Sequence, residues 1–521
     1  MSEISIEPVT DTSPTSKRCK CVSTVNISFI PVKILFFTFM AGQSTVLYRS
    51  LFMKHLGMST TQNGIIWAID RIWGIFVPPI LGAISDKTKS PKRVIQCVIL
   101  FGLLISGLMY FIPTEKSNPL HRDCYERTCY EHYRYNLSLC PTMQTTQEAN
   151  NCSEIVTNNN DSSSACAAKN TGFALNTSCI CILSNNEVID QYGLTFWSLL
   201  ILIVLSSIAI FGVNGVLDAF VLNKLIPSKR HKFGNQRLWG SIGFGTGALL
   251  VGYFMDRISE LCLGGNTSFI PFAFSPVLFW GVMIGTIMFI ESSPSERMEP
   301  VRFSHLKIIF SEIRMVVFLL FMIVLGYVIA VGESYMFWYG EEKFHAGGMI
   351  MGASVITAAL IDVIMYLLSG RIIKRCGPSW VIIAGVFLLG LRLICYTTAT
   401  LAWHLVASET FRGLSWAITW IACCHYIADI TPPELRATML GAVNAVLFGL
   451  GYGCGALLGG VMYESWGAEN MFRLSFAFSS CACIAYATFY LCYEVPDKKQ
   501  RSPKTQDETL KLREMDQTNH R

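Results

Sequence analysis

Twelve runs of this chain are apolar for longer than a soluble fold has use for: residues 28–48, 62–84, 94–112, 192–217, 237–255, 270–291, 311–333, 348–369, 379–399, 402–427, 437–461 and 470–492. An α-helix needs about 20 apolar residues to cross a hydrocarbon core ~30 Å thick. The runs predict an all-α membrane protein with twelve transmembrane helices. A chain that is 52% hydrophobic and only 15% charged agrees with this. The first run is not read as a cleavable signal peptide, because it starts late, contains Pro31 and Lys33 and lacks a small-residue cleavage site after it.

Charge and glycosylation sequons give orientation independently. With the N-terminus in the cytoplasm, the short inside loops hold Lys87, Lys89, Lys92 and Arg93, then Lys224, Lys229, Arg230 and Lys232, then Arg297, Arg302 and Lys307, then Arg371, Lys374 and Arg375, and Arg436. The outside loops hold few basic residues, chiefly Arg49, Lys54, Arg257, Lys343 and Arg473, as the positive-inside rule requires. The sequons at Asn136, Asn151, Asn160, Asn176 and Asn266 fall in outside loops of the same arrangement, and Asn26 does not. Both termini are therefore expected in the cytoplasm. The expected membrane is the plasma membrane, with an endosomal or lysosomal membrane as the alternative.

The segment 113–191 is polar and poor in core residues, yet holds seven of the nineteen cysteines: Cys124, Cys129, Cys140, Cys152, Cys166, Cys179 and Cys181. Such a loop is expected to be held by disulfides in an oxidising compartment, with Cys262 of the next outside loop as the eighth cysteine and the connectivity open.

The chain also repeats itself. "GALLVGYFMD" (Gly247 to Asp256) ends the fifth run and "GALLGGVMYE" (Gly455 to Glu464) the eleventh, while "GAISDKTKSPKR" from Gly82 and "GRIIKRCGPS" from Gly370 follow the second and eighth. Two six-helix halves in the same orientation account for both pairs, an arrangement found in secondary transporters. The expected organisation is a cytoplasmic tail over 1–27, a first bundle over 28–291 that includes the 113–191 loop, a cytoplasmic linker over 292–310, a second bundle over 311–492 and a disordered cytoplasmic tail over 493–521.

Twelve spans in two halves, with "GAISDKTKSPKR" between the second and third, resemble the major facilitator superfamily, whose loop at that place has the pattern G-x-x-x-D-(K/R)-x-x-x-(K/R)-(K/R). Gly82, Asp86, Lys87, Lys92 and Arg93 match it. The resemblance implies that Asp86 and its basic neighbours act as a cytoplasmic latch. The usual central glycine is missing, and Lys374 stands where the second copy would have its acid.

"GNQRLWGSIGFG", "PPELRATMLGAV" and "FGLGYGCGALLGG" are similar to the animal orphan transporters of the lactose-permease-like branch, the group of major facilitator superfamily domain-containing protein six. In that branch a helix-five arginine pairs with a helix-four carboxylate and binds sugar hydroxyls, while an aromatic seven residues on stacks against the sugar. The resemblance implies these roles for Arg237, Asp218 and Phe244, with Ser241 between them. Phe244 stands where the branch uses tryptophan.

Charges inside membrane spans are costly and persist mainly where they pair or line a wet cavity. Asp218 and Arg237 can meet across a helical hairpin. Glu333, Asp362, Arg392, Glu409 and Arg412 are further charges within the second half, and Glu409 and Arg412, three apart, share a helix face. A carboxylate beside an arginine suits a proton-coupled switch, and static ion pairing is the alternative. Asp70, Arg71, Lys33, Gln43 and Asn444 rank lower, since adjacent Asp70 and Arg71 point about 100° apart on a helix.

Nothing resembles a Walker loop, a dinucleotide fingerprint, a metal cluster or a nucleophile elbow, so no enzyme and no cofactor is expected, proton coupling aside. The net charge of +5 lies largely in the inside loops and tail and needs no nucleic-acid partner. The expected function is a secondary active or facilitative transporter of a small polar solute, monomeric in the bilayer, working by alternating access with proton coupling left open. The alternative is a surface receptor or adhesion protein that binds an extracellular protein partner through the 113–191 loop.

Overall fold

Apolar segments of this length form helices because a bilayer leaves the backbone no other donor or acceptor. The computed structural model describes residues 30–112, 193–224, 233–261, 269–290, 312–431 and 435–496. Among them stand twelve long helical elements: α1 (Ile30–His55), α2 (Thr60–Thr88), α3 (Pro91–Phe111), α4 (Leu194–Lys224), α5 (Phe233–Leu261), α6 (Ile270–Met288), α7 (Ile313–Phe344), α8 (Gly348–Cys376), α9 (Pro378–Thr397), α10 (Ala402–Ile430), α11 (436–466) and α12 (Ala468–Glu494). The expected cysteines Cys124, Cys129, Cys140, Cys152, Cys166, Cys179, Cys181 and Cys262 and sequons Asn136, Asn151, Asn160, Asn176 and Asn266 lie outside the described residues.

Eleven of the twelve are long and apolar enough to cross a membrane, and α10 is not among them. Its first half carries His404, Ser408, Glu409, Thr410, Arg412 and Ser415, which lower its hydropathy while its 29 residues remain helical.

Packing repeats between the halves. α5 lies against α1 as α11 lies against α7, α4 against α2 and α3 as α10 lies against α8 and α9. Glycines make the first of these contacts close: a Cβ on Gly243 or Gly247 would strike the α1 backbone at Phe37 or Ala41, and one on Gly451 or Gly455 the α7 backbone at Ile323 or Tyr327. The halves meet through α5 against α8 and α2 against α11.

Two helices depart from regular α geometry. α1 passes through a 3-10 turn at Ser44–Tyr48 before resuming at Arg49–His55, and α11 runs Arg436–Asn444, a π-helical stretch Ala445–Gly451, then Tyr452–Trp466. The first departure corrects an expectation. The first span does not end at residue 48, and Arg49 is not a loop residue but is 5% exposed inside the first half. The apolar Leu51, Phe52 and Met53 that follow it carry the helix on, all three buried.

The expected loop "GAISDKTKSPKR" is also mostly helix. α2 continues to Thr88, Lys89 caps it in the left-handed conformation, and Pro91 opens α3 at a position where a missing N–H costs nothing.

Among the described residues, the hydrogen bonds that join the halves gather at one end, where α1, α5, α7 and α11 finish and α2 and α8 begin. There Tyr48 Oη donates to the Gly348 carbonyl at 3.2 Å, Thr60 Oγ1 to the Gly460 carbonyl at 3.2 Å and Asn63 Nδ2 to the Ser334 carbonyl at 3.3 Å, and the Thr61 N–H donates to Glu464 Oε2 at 3.1 Å. Lys54 pairs with Glu341 and lies 5.7 Å from the Trp338 ring. Asp256 accepts from the N–H groups of Gly348 at 2.6 Å and Met349 at 2.8 Å.

Candidate functional site

Arg237 stands near the start of α5 and Asp218 near the end of α4, so the turn of the hairpin brings them together. Nη1 and Oδ2 are 3.3 Å apart, with side chains 50% and 24% exposed. Ser241 and Phe244 follow Arg237 by four and seven residues, on one helix face, and both are half-buried. Beyond them, a Cβ on Gly245 would meet Ile356 and Ala359 of α8. The guanidinium acts electrostatically on Tyr366 of α8 and Cys424 of α10. The pair therefore stands where one half faces the other.

The second-half charges assemble into one cluster. Arg412 lies 3.7 Å from Glu333, and Arg392 lies 3.5 Å from Glu409, whose Oε1 also accepts from the Tyr396 hydroxyl. Glu409 and Arg412 share a face of α10 yet turn to different partners, one to α9 and the other to α7. Asp362 is 6% exposed, accepts from the Ala417 N–H at 3.3 Å and acts electrostatically on Arg412. A cavity of about 20 Å³ lies against Glu333, Arg392, Glu409 and Arg412 and reaches Leu47 of the first half, with room for one water.

Asp70 and Arg71, lower-ranked on the sequence, do diverge around α2, and both carry weight. Asp70 turns into the first half, 1% exposed and 3.5 Å from Arg49, whose Nη2 donates to Ser206 Oγ at 2.7 Å. A second cavity of about 20 Å³ adjoins Arg49, bordered by Thr45, Ser106, Ser206 and Trp280. Arg71 turns the other way, towards the second half. Its guanidinium lies 5.1 Å from the Trp67 ring, 5.3 Å from Phe211 and 4.1 Å from Tyr452 of α11. The Tyr452 hydroxyl in turn donates to Glu333 Oε2 at 3.3 Å. Contacts thus run from Arg71 on α2 to the Tyr452 ring on α11, and from the Tyr452 hydroxyl through Glu333 on α7 to Arg412 on α10.

The other lower-ranked residues are less engaged. Lys33 Nζ lies 5.6 Å from the Trp239 ring, Asn444 Nδ2 donates to the Leu440 carbonyl of its own helix, and Gln43 is half-buried. Of the latch motif, Gly82 is half-buried with open space where a side chain would go, while Asp86, Lys87 and Arg93 are exposed. Lys92 Nζ donates to the carbonyls of Met288 at 2.9 Å and Ile290 at 3.1 Å, capping the end of α6. Among the described residues Asp86 forms no hydrogen bond or ion pair. No group of three or more His, Cys, Asp and Glu side chains among them could hold a metal ion.

Residues 29–474 match the MFS_1 like family. Among curated proteins, the chain is 21% identical over 264 residues to major facilitator superfamily domain-containing protein 6-like protein B of Xenopus laevis, covering 50% of this chain and 42% of that one. It is 21% identical over 319 residues to 6-like protein A of the same organism, covering 60% and 50%. The chain thus spans about half the length of these relatives. Among solved structures, the nucleoside transporter NupG superposes with a TM-score of 0.63 at 15% identity, covering 88% of this chain and 98% of that one.

Proposed function

The chain belongs to the MFS_1 like family, and on that premise we propose that it carries a small polar solute across a membrane by alternating access, as a secondary active or facilitative transporter. One observation carries the reading: the Arg237–Asp218 pair stands between the halves, 3.3 Å apart and within electrostatic reach of Tyr366 and Cys424 on the opposite side. The hydrogen bonds between the halves lie at the end where α1 meets α2. With both termini in the cytoplasm that end faces outward, and the arrangement corresponds to an inward-facing state. Rocking the halves about the α5–α8 and α2–α11 contacts exchanges which end is joined.

Arg237 and Asp218 supply a planar donor fork beside a carboxylate, suited to hydroxyl, amide or charged groups of a solute. The structural neighbour NupG is a nucleoside transporter, and nucleosides are among the small polar solutes to test here. Glu333, Asp362 and Glu409, each beside an arginine, are the groups through which a proton would couple to the cycle.

The test compares metabolites accumulated from a complex medium by cells producing the wild type, Arg237→Ala or no protein, at matched abundance in the membrane. A solute enriched by the wild type and not by Arg237→Ala supports transport through this site. A solute moved equally by both removes Arg237 from the mechanism. Absence of any enriched solute returns the receptor reading to the front, and deletion of 125–180 then tests it.

A further inference from the structure

Arg49, Arg237, Arg392 and Arg412 each stand against a carboxylate, that of Asp70, Asp218, Glu409 and Glu333 respectively. Arg71 does not. Its neighbour Asp70 is turned to Arg49, and Glu333 already serves Arg412. Three aromatic faces hold the Arg71 guanidinium, and its Nε is buried without a hydrogen-bond partner.

The second half presents the same lack. Arg392 is 1% exposed, and both its Nε and its Nη2 are without partners. Gly332 makes room for it, since a Cβ there would collide with Nη2. Arg71 Nε, Arg392 Nε and Arg392 Nη2 are therefore unpaired guanidinium nitrogens on the two sides of the Glu333–Arg412 pair, and all three are donors. Burying such donors unpaired is unfavourable unless a ligand accepts from them. The single water that the adjoining cavity admits cannot serve all of them.

We infer that the transported solute carries a carboxylate, received between Arg71 of the first half and Arg392 and Arg412 of the second. This rests on the transport reading above and adds the substrate class. A planar carboxylate accepts from a guanidinium fork through two parallel oxygens and brings a negative charge, whereas a hydroxyl or carbonyl offers one neutral oxygen. A solute approaches past the side chains of Arg412 and Glu333, which are 15% and 21% exposed, while Arg392 lies behind them at 2%.

Charge balance narrows the solute further. Arg71, Arg392 and Arg412 face Glu333, Asp362 and Glu409, three cations against three carboxylates, with the hydroxyls of Tyr396 and Tyr452 between them. A carboxylate entering this balanced set arrives either as part of a zwitterion, whose ammonium group restores neutrality, or as an anion accompanied by a proton.

The probes are propionate, lactate, succinate and β-alanine, each set against its amide, added to the purified full-length protein while its melting temperature is read. The metabolite comparison is run in parallel with Arg71→Gln. At least one carboxylate raises the melting temperature where its amide does not, and Arg71→Gln removes the shift. Uptake of a carboxylate-bearing solute falls at least about tenfold in Arg71→Gln, the loss of one charge-assisted hydrogen bond. If Arg71→Gln itself melts far below the wild type, Arg71→Lys reads the same loss, since it keeps the cation without the planar fork. Stabilisation by β-alanine alone marks the zwitterion, and stabilisation by a simple carboxylate that strengthens at lower pH marks the anion with a proton. A solute accumulated by the wild type that has no carboxylate overturns the inference and leaves transport standing, as does a carboxylate effect indifferent to Arg71. If no solute accumulates and no carboxylate stabilises the protein, both readings fall.

Discussion

The Asp256 carboxylate at the end of α5 caps α8 from the opposite half, accepting from the N–H groups of Gly348 at 2.6 Å and Met349 at 2.8 Å. The residue in the N-cap position of α8 is Gly347, which has no side chain to do this. The first turn of α8 is therefore completed only while the halves are joined at that end.

Replacing Asp256 by Ala removes the cap. N-cap losses of about 0.5–2 kcal/mol correspond to roughly 2- to 30-fold in population. Hydrogen exchange of the peptide spanning the start of α8 accelerates by that factor, while exchange in α3 and α9 stays as it was. Unchanged protection at Gly348 and Met349 would falsify the capping role.

Gly252 tests closure from the other direction. A Cβ there would overlap the Gly348 carbonyl, so Gly252→Val holds the two halves apart at this end. The variant reaches the membrane in normal amounts but accumulates no solute. Wild-type uptake by Gly252→Val would show that α5 and α8 need not approach this closely.

The Arg237–Asp218 pair is half in solvent, and its contribution to stability is expected below about 1 kcal/mol. Arg237→Gln and Asp218→Asn then melt within a few degrees of the wild type, on the order of the shift expected for 1 kcal/mol in a domain of this size, while uptake is lost. A large drop in melting temperature would assign the pair to the scaffold instead.

The Arg392–Glu409 pair, with side chains 2% and 7% exposed, behaves in the opposite way. Glu409→Leu strands a buried guanidinium and destabilises by about 3–5 kcal/mol, whereas the double variant Arg392→Leu with Glu409→Leu regains most of that loss. Thermal unfolding of the purified variants reads the difference. Equal destabilisation by the single and double changes would mean that neither charge depends on the other.

Proton coupling, proposed for the second-half carboxylates, predicts that an inward-directed pH gradient raises uptake and that a protonophore abolishes the increase. Equal uptake with and without the gradient removes coupling and leaves facilitative transport.

The helices and their twofold repetition are legible in the sequence because apolar length and recurring glycine patterns are local properties. So is the Arg237–Asp218 meeting, since a hairpin between adjacent helices fixes which ends approach. Arg49 reads wrongly because an arginine after an apolar run looks like the end of a span, and its partner Asp70 and the 3-10 turn that carries α1 onward leave no mark on neighbouring residues. Arg71 ranks low for a sound reason, the angle between consecutive side chains. That angle says only that Asp70 and Arg71 face different ways, and α11, whose Tyr452 receives Arg71, lies far along the chain.

The polarity of α10 bears on how the protein is made. A segment carrying both Glu409 and Arg412 is a poor candidate for insertion by itself, since each charge at mid-membrane costs a few kcal/mol on insertion scales. Its counter-charge Arg392 is only 17 residues upstream, on α9. Delivering α9 and α10 to the lipid as a paired unit neutralises Glu409 against Arg392, while Arg412 finds Glu333 on α7, made earlier. Synthesis halted between the two would leave Arg392 in the bilayer without a counter-ion.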